Sequence, residues 1–269
     1  MPRSRSVRLV PAPATASSSS RHGLARVLSK LGICSRSQAE QWVRAGRVSV
    51  DACVVVDPYH PTRVDRQQIA VDGKPVGQAE QVYVAFNKPR GLVVSASDER
   101  GRATVYSALA DAGLPWLGSA GRLDRASEGL LLLSNDTAWA AGITDPASHL
   151  EKTYHVQVSG QPDGVALAAM ESGLVDAGDM LKARRATVLR SGAKNAWIEV
   201  VLDEGRNRHI RRLLAALGFE VLRLIRVAIG PLPLGDLAKG HWRHLSADEV
   251  RLLGAPLTPG RSAMAAMPL

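Results

Sequence analysis

The segment Gly118–Asn135 limits this chain more than any other. A glycine-containing loop presents Asp124 between Arg122 and Arg125 and runs through Ser127, Glu128 and Gly129 straight into Leu130–Leu133. Four consecutive leucines closed by Ser134 read as a buried strand, so a charged loop must open directly onto a covered sheet. Two flanking guanidiniums favour the ionised carboxylate, which makes Asp124 an available anion at neutral pH. The same charge pattern also fits a loop salt bridge. Glu128 is either an alternative carboxylate or a group that orients the loop.

Around this segment, residues 81–255 read as one domain. Strands are predicted at Val82–Phe86, Gly129–Ser134, Thr153–Ser159, Ala186–Arg190, Ala196–Leu202 and Val221–Ile229. Helices are predicted at Thr104–Ala112, Thr137–Ile143, Val165–Ser172 and Arg208–Leu217. The two kinds of element do not alternate regularly. An α+β domain on a largely antiparallel sheet with flanking helices therefore fits better than a doubly wound one.

Ahead of it lies a smaller α/β module at 22–75. Leu24, Val27, Leu28 and Leu31 form the apolar stripe of a short helix that Gly32 ends. A second helix follows, capped by Ser35 with Gln38 or by Ser37 with Glu40, with Trp42 and Val43 facing inward and Gly46 as its stop. Short strands follow near 48–50, 54–56 and 69–71, with Asp72-Gly73 as a tight turn. Residues 76–80 read as a linker, 1–21 as a disordered basic tail and 256–269 as a loose tail.

Charge points to a polyanionic partner. The chain carries 34 Lys+Arg against 25 Asp+Glu; residues 1–75 hold 12 basic and 5 acidic side chains, which leaves 22 against 20 for the rest. No apolar run approaches the roughly 20 residues of a membrane helix. Cys34 and Cys53 form neither a disulfide framework nor a zinc motif, which fits a reducing cytosol. Walker A, Gly-x-Gly-x-x-Gly and His-Glu-x-x-His motifs are absent from the sequence. His241 and His244 could share a helix face but lack a third ligand, so no metal is assigned.

The segment Gly121-Arg-Leu-Asp-Arg-Ala-Ser-Glu-Gly-Leu130 resembles the catalytic signature of RNA pseudouridine synthases of the RsuA/RluB type. Four further segments agree in order along the chain: Asn87-Lys88-Pro89-Arg90-Gly91, Lys152-Thr153-Tyr154, Glu204–Arg212, and Leu224-Ile225-Arg226 leading into Gly230-Pro231. The module at 22–75 is similar to the small RNA-binding domain named after ribosomal small-subunit protein four. The resemblance covers about 22–250.

The resemblance implies a cofactor-free isomerase that detaches uracil from ribose C1′, turns it and rejoins it through C5. Asp124 is then the essential carboxylate, acting by addition to ring or sugar or by proton abstraction. Tyr154 corresponds to the aromatic residue that stacks on the target base, and Arg211 to the basic residue that pairs with the Asp. Arg122 corresponds to the side chain that fills the space left by the flipped uridine. Ile210 becomes a wall of the uracil pocket, with Arg125 and Lys88 as further substrate-binding candidates and Lys88 and Pro89 shaping the floor. His209 departs from the usual Gln, which puts the hydrogen bond expected there in doubt.

For RNA contacts, the candidates are Arg26, Lys30, Ser35, Arg36, Arg44 and Arg47 in the small module and Arg208 and Arg212 in the large one. The turn often written Asn-Gly in relatives is Asp51-Ala52 here, which disfavours a type I′ hairpin. The expected substrate is ribosomal RNA or a ribosomal assembly intermediate, met by a monomer in the cytosol. Arg206-Asn207-Arg208 and the stretch Ile225–Gly230 lean toward the large-subunit (23S) RNA, as in RluB-like enzymes. The alternatives are the small-subunit (16S) RNA, as for RsuA, and a noncatalytic RNA-binding assembly factor.

Overall fold

The computed structural model describes residues 21–77, 79–96 and 98–254. The expected tails, Arg21 apart, lie outside them. Two compact units result: one runs to Leu28 and resumes at Arg36–Gly77, and the other joins Ser29–Ser35 to the chain from Gln78 onward.

In the smaller unit, α1 (Leu24–Lys30) buries Leu24, Ala25, Val27 and Leu28, as its apolar spacing requires. Helix α2 (Arg36–Arg44) begins directly after Ser35, so Ser35 takes the N-cap place with Gln38 at N3; Glu40 instead lies 3.6 Å from Arg36 and 3.7 Å from Arg44. Val43 is fully buried, whereas Trp42 is only half-buried, with the Arg47 guanidinium 5.1 Å from its ring centre. Strands β1 (Val48–Val50), β2 (Cys53–Val54), β3 (Ile69–Val71) and β4 (Lys74–Val76) form an antiparallel sheet in the order β2-β1-β3-β4. The second strand is thus earlier and shorter than expected.

Contrary to expectation, Asp51-Ala52 does close a two-residue hairpin with both φ positive, at 50° and 65°. Hydrogen bonds supply what glycine would otherwise provide. The Asp51 carboxylate accepts from Gln68 N at 2.9 Å and Gln67 Nε2 at 3.1 Å, and Asp51 N donates to Gln68 O at 2.8 Å.

The larger unit is built on β5 (Tyr83–Lys88), β6 (Gly118–Ala120), β7 (Glu128–Ser134), β8 (Lys152–Ser159), β9 (Arg185–Ser191), β10 (Asn195–Leu202), β11 (Val221–Ile229) and β12 (Trp242–His244). The sheet runs β9-β10-β8-β11-β7-β5-β12, with β6 also on β7 and the short Leu232–Pro233 strand on β11. Among the described residues one pairing of this sheet is parallel: β11 meets β7 at Ile225–Glu128 and Arg226–Gly129. His241 precedes β12 and His244 ends it, so the two do not share a helix.

The four leucines of β7 explain why the sheet is covered on both sides. Leu130 and Leu132 pack with Trp139, Ile143 and Leu253 of α3 (Thr137–Thr144) and α6 (Ala247–Gly254). Leu131 and Leu133 turn the other way onto Phe86, Val105, Leu117 and Leu123. Across the parallel seam, α4 (Gly164–Ser172) and α5 (His209–Ala216) cover β8, β10 and β11 through Met170, Ile210, Leu213 and Leu214. The predicted helix at Thr104–Ala112 is a 3-10 helix confined to Ser107–Ala112. No helix among the described residues is long and apolar enough to cross a membrane.

Candidate active site

A cleft of about 570 Å³ opens in the larger unit beside the start of β7 and is lined by Asp124, Tyr154, Ile210, Arg211, Leu224 and Arg226 among others. Alternation along the strands produces this grouping. Tyr154 and Val156 share one face of β8, Leu224 and Arg226 one face of β11, and α5 lays Ile210 against them.

Asp124 sits on a turn that is closed from within. Ser127 N donates to Asp124 O at 3.0 Å, Leu123 on one side and Ser127 on the other are buried, and Gly91 N donates to Arg125 O at 2.8 Å. The Asp124 carboxylate itself makes no hydrogen bond or ion pair among the described residues. The loop salt bridge is therefore not formed. Arg122 is exposed, its guanidinium unpartnered among the described residues, and Arg125 donates from Nε to Gly91 O at 3.2 Å. An anion held on a braced backbone with its oxygens uncommitted is ready to act as nucleophile or base.

Lys88, expected among the substrate-binding residues, does not line the cleft. It is fully buried, and its Nζ donates to Ser127 O at 2.8 Å, Pro89 O at 3.1 Å and Asp124 O at 3.2 Å, so its donors are spent on the underside of the Asp124 turn. Burial pushes its pKa down to about 8, against the pull of Asp124 and Glu128. Glu128, the other carboxylate of the segment, does not line the cleft either. It is buried and ion-paired to Arg223 at 2.8 Å and Lys239 at 2.5 Å. Burial raises its pKa, but hydrogen bonds from these two cations outweigh that and hold it below the ordinary value.

Arg211 lies close enough to Asp124 to act on it electrostatically, but no ion pair within 4.0 Å joins them. Its guanidinium donates to Val221 O at 3.2 Å and Ala126 O at 3.3 Å, bracing α5 against β11 and the Asp124 turn. Arg212, expected to touch RNA, is taken up by Asp176 and Asp179 of the hairpin Leu174–Leu181, at 2.5 and 2.8 Å. Arg208, at the N-cap of α5 with φ 50°, is exposed on the cleft rim, its side chain unpartnered among the described residues. His209 is buried and its Nε2 accepts the Lys182 backbone N–H at 3.1 Å. Burial lowers its pKa, and with Nε2 as acceptor the ring proton is assigned to Nδ1.

Arg226 and Lys152 line the cleft as well, although the sequence reading gave them no role. Both stood inside the segments that carried the resemblance. In the smaller unit, Arg26 is exposed and unpaired among the described residues, Arg36 and Arg44 share Glu40, and Arg47 is committed to Asp72 at 2.9 Å. Lys30 and Ser35 mark the end of α1 and the approach to α2.

Comparison with known proteins follows this geometry. The RNA pseudouridylate synthase family matches residues 82–216, and the S4 domain matches residues 23–61. An uncharacterized RNA pseudouridine synthase of Rickettsia prowazekii is 37% identical over 225 residues, covering 83% of this chain and 94% of the relative. One of Mycobacterium bovis is 40% identical over 233 residues, covering 84% and 91%. A solved structure described as a pseudouridylate synthase superposes with a TM-score of 0.60 at 29% identity, covering 86% of this chain and 99% of that one. With the signature, the cleft and the N-terminal module all in agreement, the chain belongs to the RsuA/RluB-type RNA pseudouridine synthases, isomerases that here carry an N-terminal S4 RNA-binding domain.

Proposed function

We propose that this isomerase converts one uridine of large-subunit ribosomal RNA to pseudouridine, with Asp124 as the catalytic carboxylate. The observation that carries the assignment is that Asp124 keeps both oxygens uncommitted while Lys88, Ser127 and the buried Leu123 fix its backbone. The reaction breaks C1′–N1, forms C1′–C5 and moves a proton from C5 to N1. Atoms and electrons balance within the nucleotide, so positioning and one anion carry the chemistry.

The remaining residues take roles that follow from their placement. Tyr154 supplies a flat apolar face for the uracil, and Ile210 closes the pocket beside it. Arg122, with its guanidinium unspent, fills the gap left by the flipped nucleotide and offsets part of the unstacking cost, on the order of a few kcal/mol. Arg211 acts on Asp124 through the field rather than by contact, and Arg125 acts by holding the turn to Gly91. Arg208 on the rim and Arg26, Lys30, Ser35, Arg36 and Arg44 on the S4 domain contact the RNA backbone. Arg206-Asn207-Arg208 and Ile225–Gly230 favour the large-subunit RNA.

The test is pseudouridine mapping by carbodiimide block and reverse-transcription stops, on both ribosomal RNAs, in cells with the gene intact, deleted or carrying Asp124→Asn. A single large-subunit stop lost in both altered strains is expected. Loss of a small-subunit stop refutes the choice of RNA, and unchanged maps refute ribosomal RNA as the substrate.

A further inference from the structure

Two cations in the cleft have no assigned task and no ion pair among the described residues. Arg226 is 4% exposed; its Nε donates to Leu130 O at 2.7 Å, its Nη1 reaches Arg122 O at 3.5 Å, and its Nη2 is buried without a partner. Lys152, half-buried on the neighbouring strand, makes no hydrogen bond or ion pair among the described residues. Asp203, the carboxylate that acts on it, is already shared between Arg184 at 3.7 Å and His149 at 3.8 Å. Burial and the charge of Arg226 both lower the Lys152 pKa, which places the two cations in each other's field.

A desolvated cation with a like charge beside it is unfavourable to keep and is characteristic of a site whose counter-ion arrives with the ligand. Strand register fixes where that counter-ion must sit. Tyr154 pairs with Arg226 across β8 and β11, and Lys152 lies two residues from Tyr154 on the same strand face, about 6.6 Å along the strand. That is the span from a stacked base across its ribose to an adjoining phosphate. We infer that Lys152 and Arg226 form an anion subsite that grips a backbone phosphate of the target nucleotide itself. The inference rests on Tyr154 receiving the base and assigns the grip to the nucleotide being turned rather than to flanking RNA. Holding that phosphate would keep the ribose over Asp124 while the uracil is detached and rotated.

The test uses the full-length protein and two small probes, uridine and uridine 3′,5′-bisphosphate, titrated by ³¹P and ¹H NMR. The bisphosphate should bind at least about tenfold more tightly than uridine, and Lys152→Gln should abolish that difference while leaving uridine binding in place. Arg226→Lys keeps a charge without the planar fork and should give an intermediate loss. Thermal melting of Lys152→Gln should be unchanged or raised, because an unpaired buried charge has been removed. Equal ³¹P shifts in wild type and Lys152→Gln, no bisphosphate preference in the wild type, or a melting temperature several degrees lower would each overturn the subsite. Loss of the proposed ribosomal target in the mapping experiment leaves the bisphosphate result standing, so the two readings fail separately.

Discussion

Substituting Gly129 by alanine tests the geometry on which the site depends. Gly129 lies where β7 meets β11 in parallel, with φ at 102°, and a Cβ there would overlap the carbonyl oxygen of Arg226 and lie 2.8 Å from its nitrogen. The strained backbone costs about 1–3 kcal/mol, and crowding against a main chain that cannot rotate away costs about 1–3 kcal/mol more. A loss near 4 kcal/mol is a large part of the roughly 5–15 kcal/mol that holds a domain together. For a unit of this size it corresponds to a fall of about 8–16 °C in melting temperature. Urea denaturation followed by tryptophan fluorescence reads the right unit, because four of the five tryptophans lie beyond residue 100. Gly118→Ala is the control, since its Cβ would meet only Ser134 O at 3.6 Å. A Gly129→Ala loss below about 1 kcal/mol, or one no larger than the control's, would refute the reasoning.

Four further substitutions have outcomes fixed by the same structure. Ala52→Gly should stabilise the S4 unit by about 0.5–1 kcal/mol, because φ 65° is strained for alanine and free for glycine; a lower melting temperature for that unit would contradict this. Lys88→Met should destabilise by about 2–4 kcal/mol at pH 7 through the carbonyls it leaves without a donor, measured by urea denaturation. Because the native Lys88 pKa is about 8, below its ordinary 10.5, the unfolded chain binds more protons between those values, so this group's contribution favours folding as pH rises through that window, and the rise should be missing in Lys88→Met. Arg208→Ala should leave stability within about 0.5 kcal/mol and flatten the salt dependence of RNA binding by about one phosphate contact, whereas Arg212→Ala should loosen the Asp176–Asp179 hairpin and leave the salt slope alone.

The sequence carried most of the catalytic unit because its elements are long and strongly patterned. Val221–Ile229 was legible to the residue, and Leu130–Leu133 announced a strand covered on both faces. Short elements were less visible: α6 was passed over, although Ser246 and Glu249 form a reciprocal capping box at 3.2 and 2.8 Å, a signal that could have been read directly. The roles of charged residues were the least legible, since a guanidinium's partner is decided by tertiary approach. Nothing local marks Arg212 for Asp176, Arg47 for Asp72 or Glu128 for Arg223 and Lys239. Likewise Lys88 reads as a surface cation until the fold turns it under the loop it supports.

The pairing of Glu128 with Arg223 also sets a schedule. The two residues are 95 positions apart, so the turn that carries Asp124 cannot be locked until β11 has been synthesised and has closed a loop of that length onto β7. At about 5–20 residues per second, the signature segment waits roughly 5–20 s on the ribosome for the strand that completes it. During that interval the S4 module already has every residue it needs to fold. A nascent chain would thus acquire its grip on RNA before it acquires the means to change it.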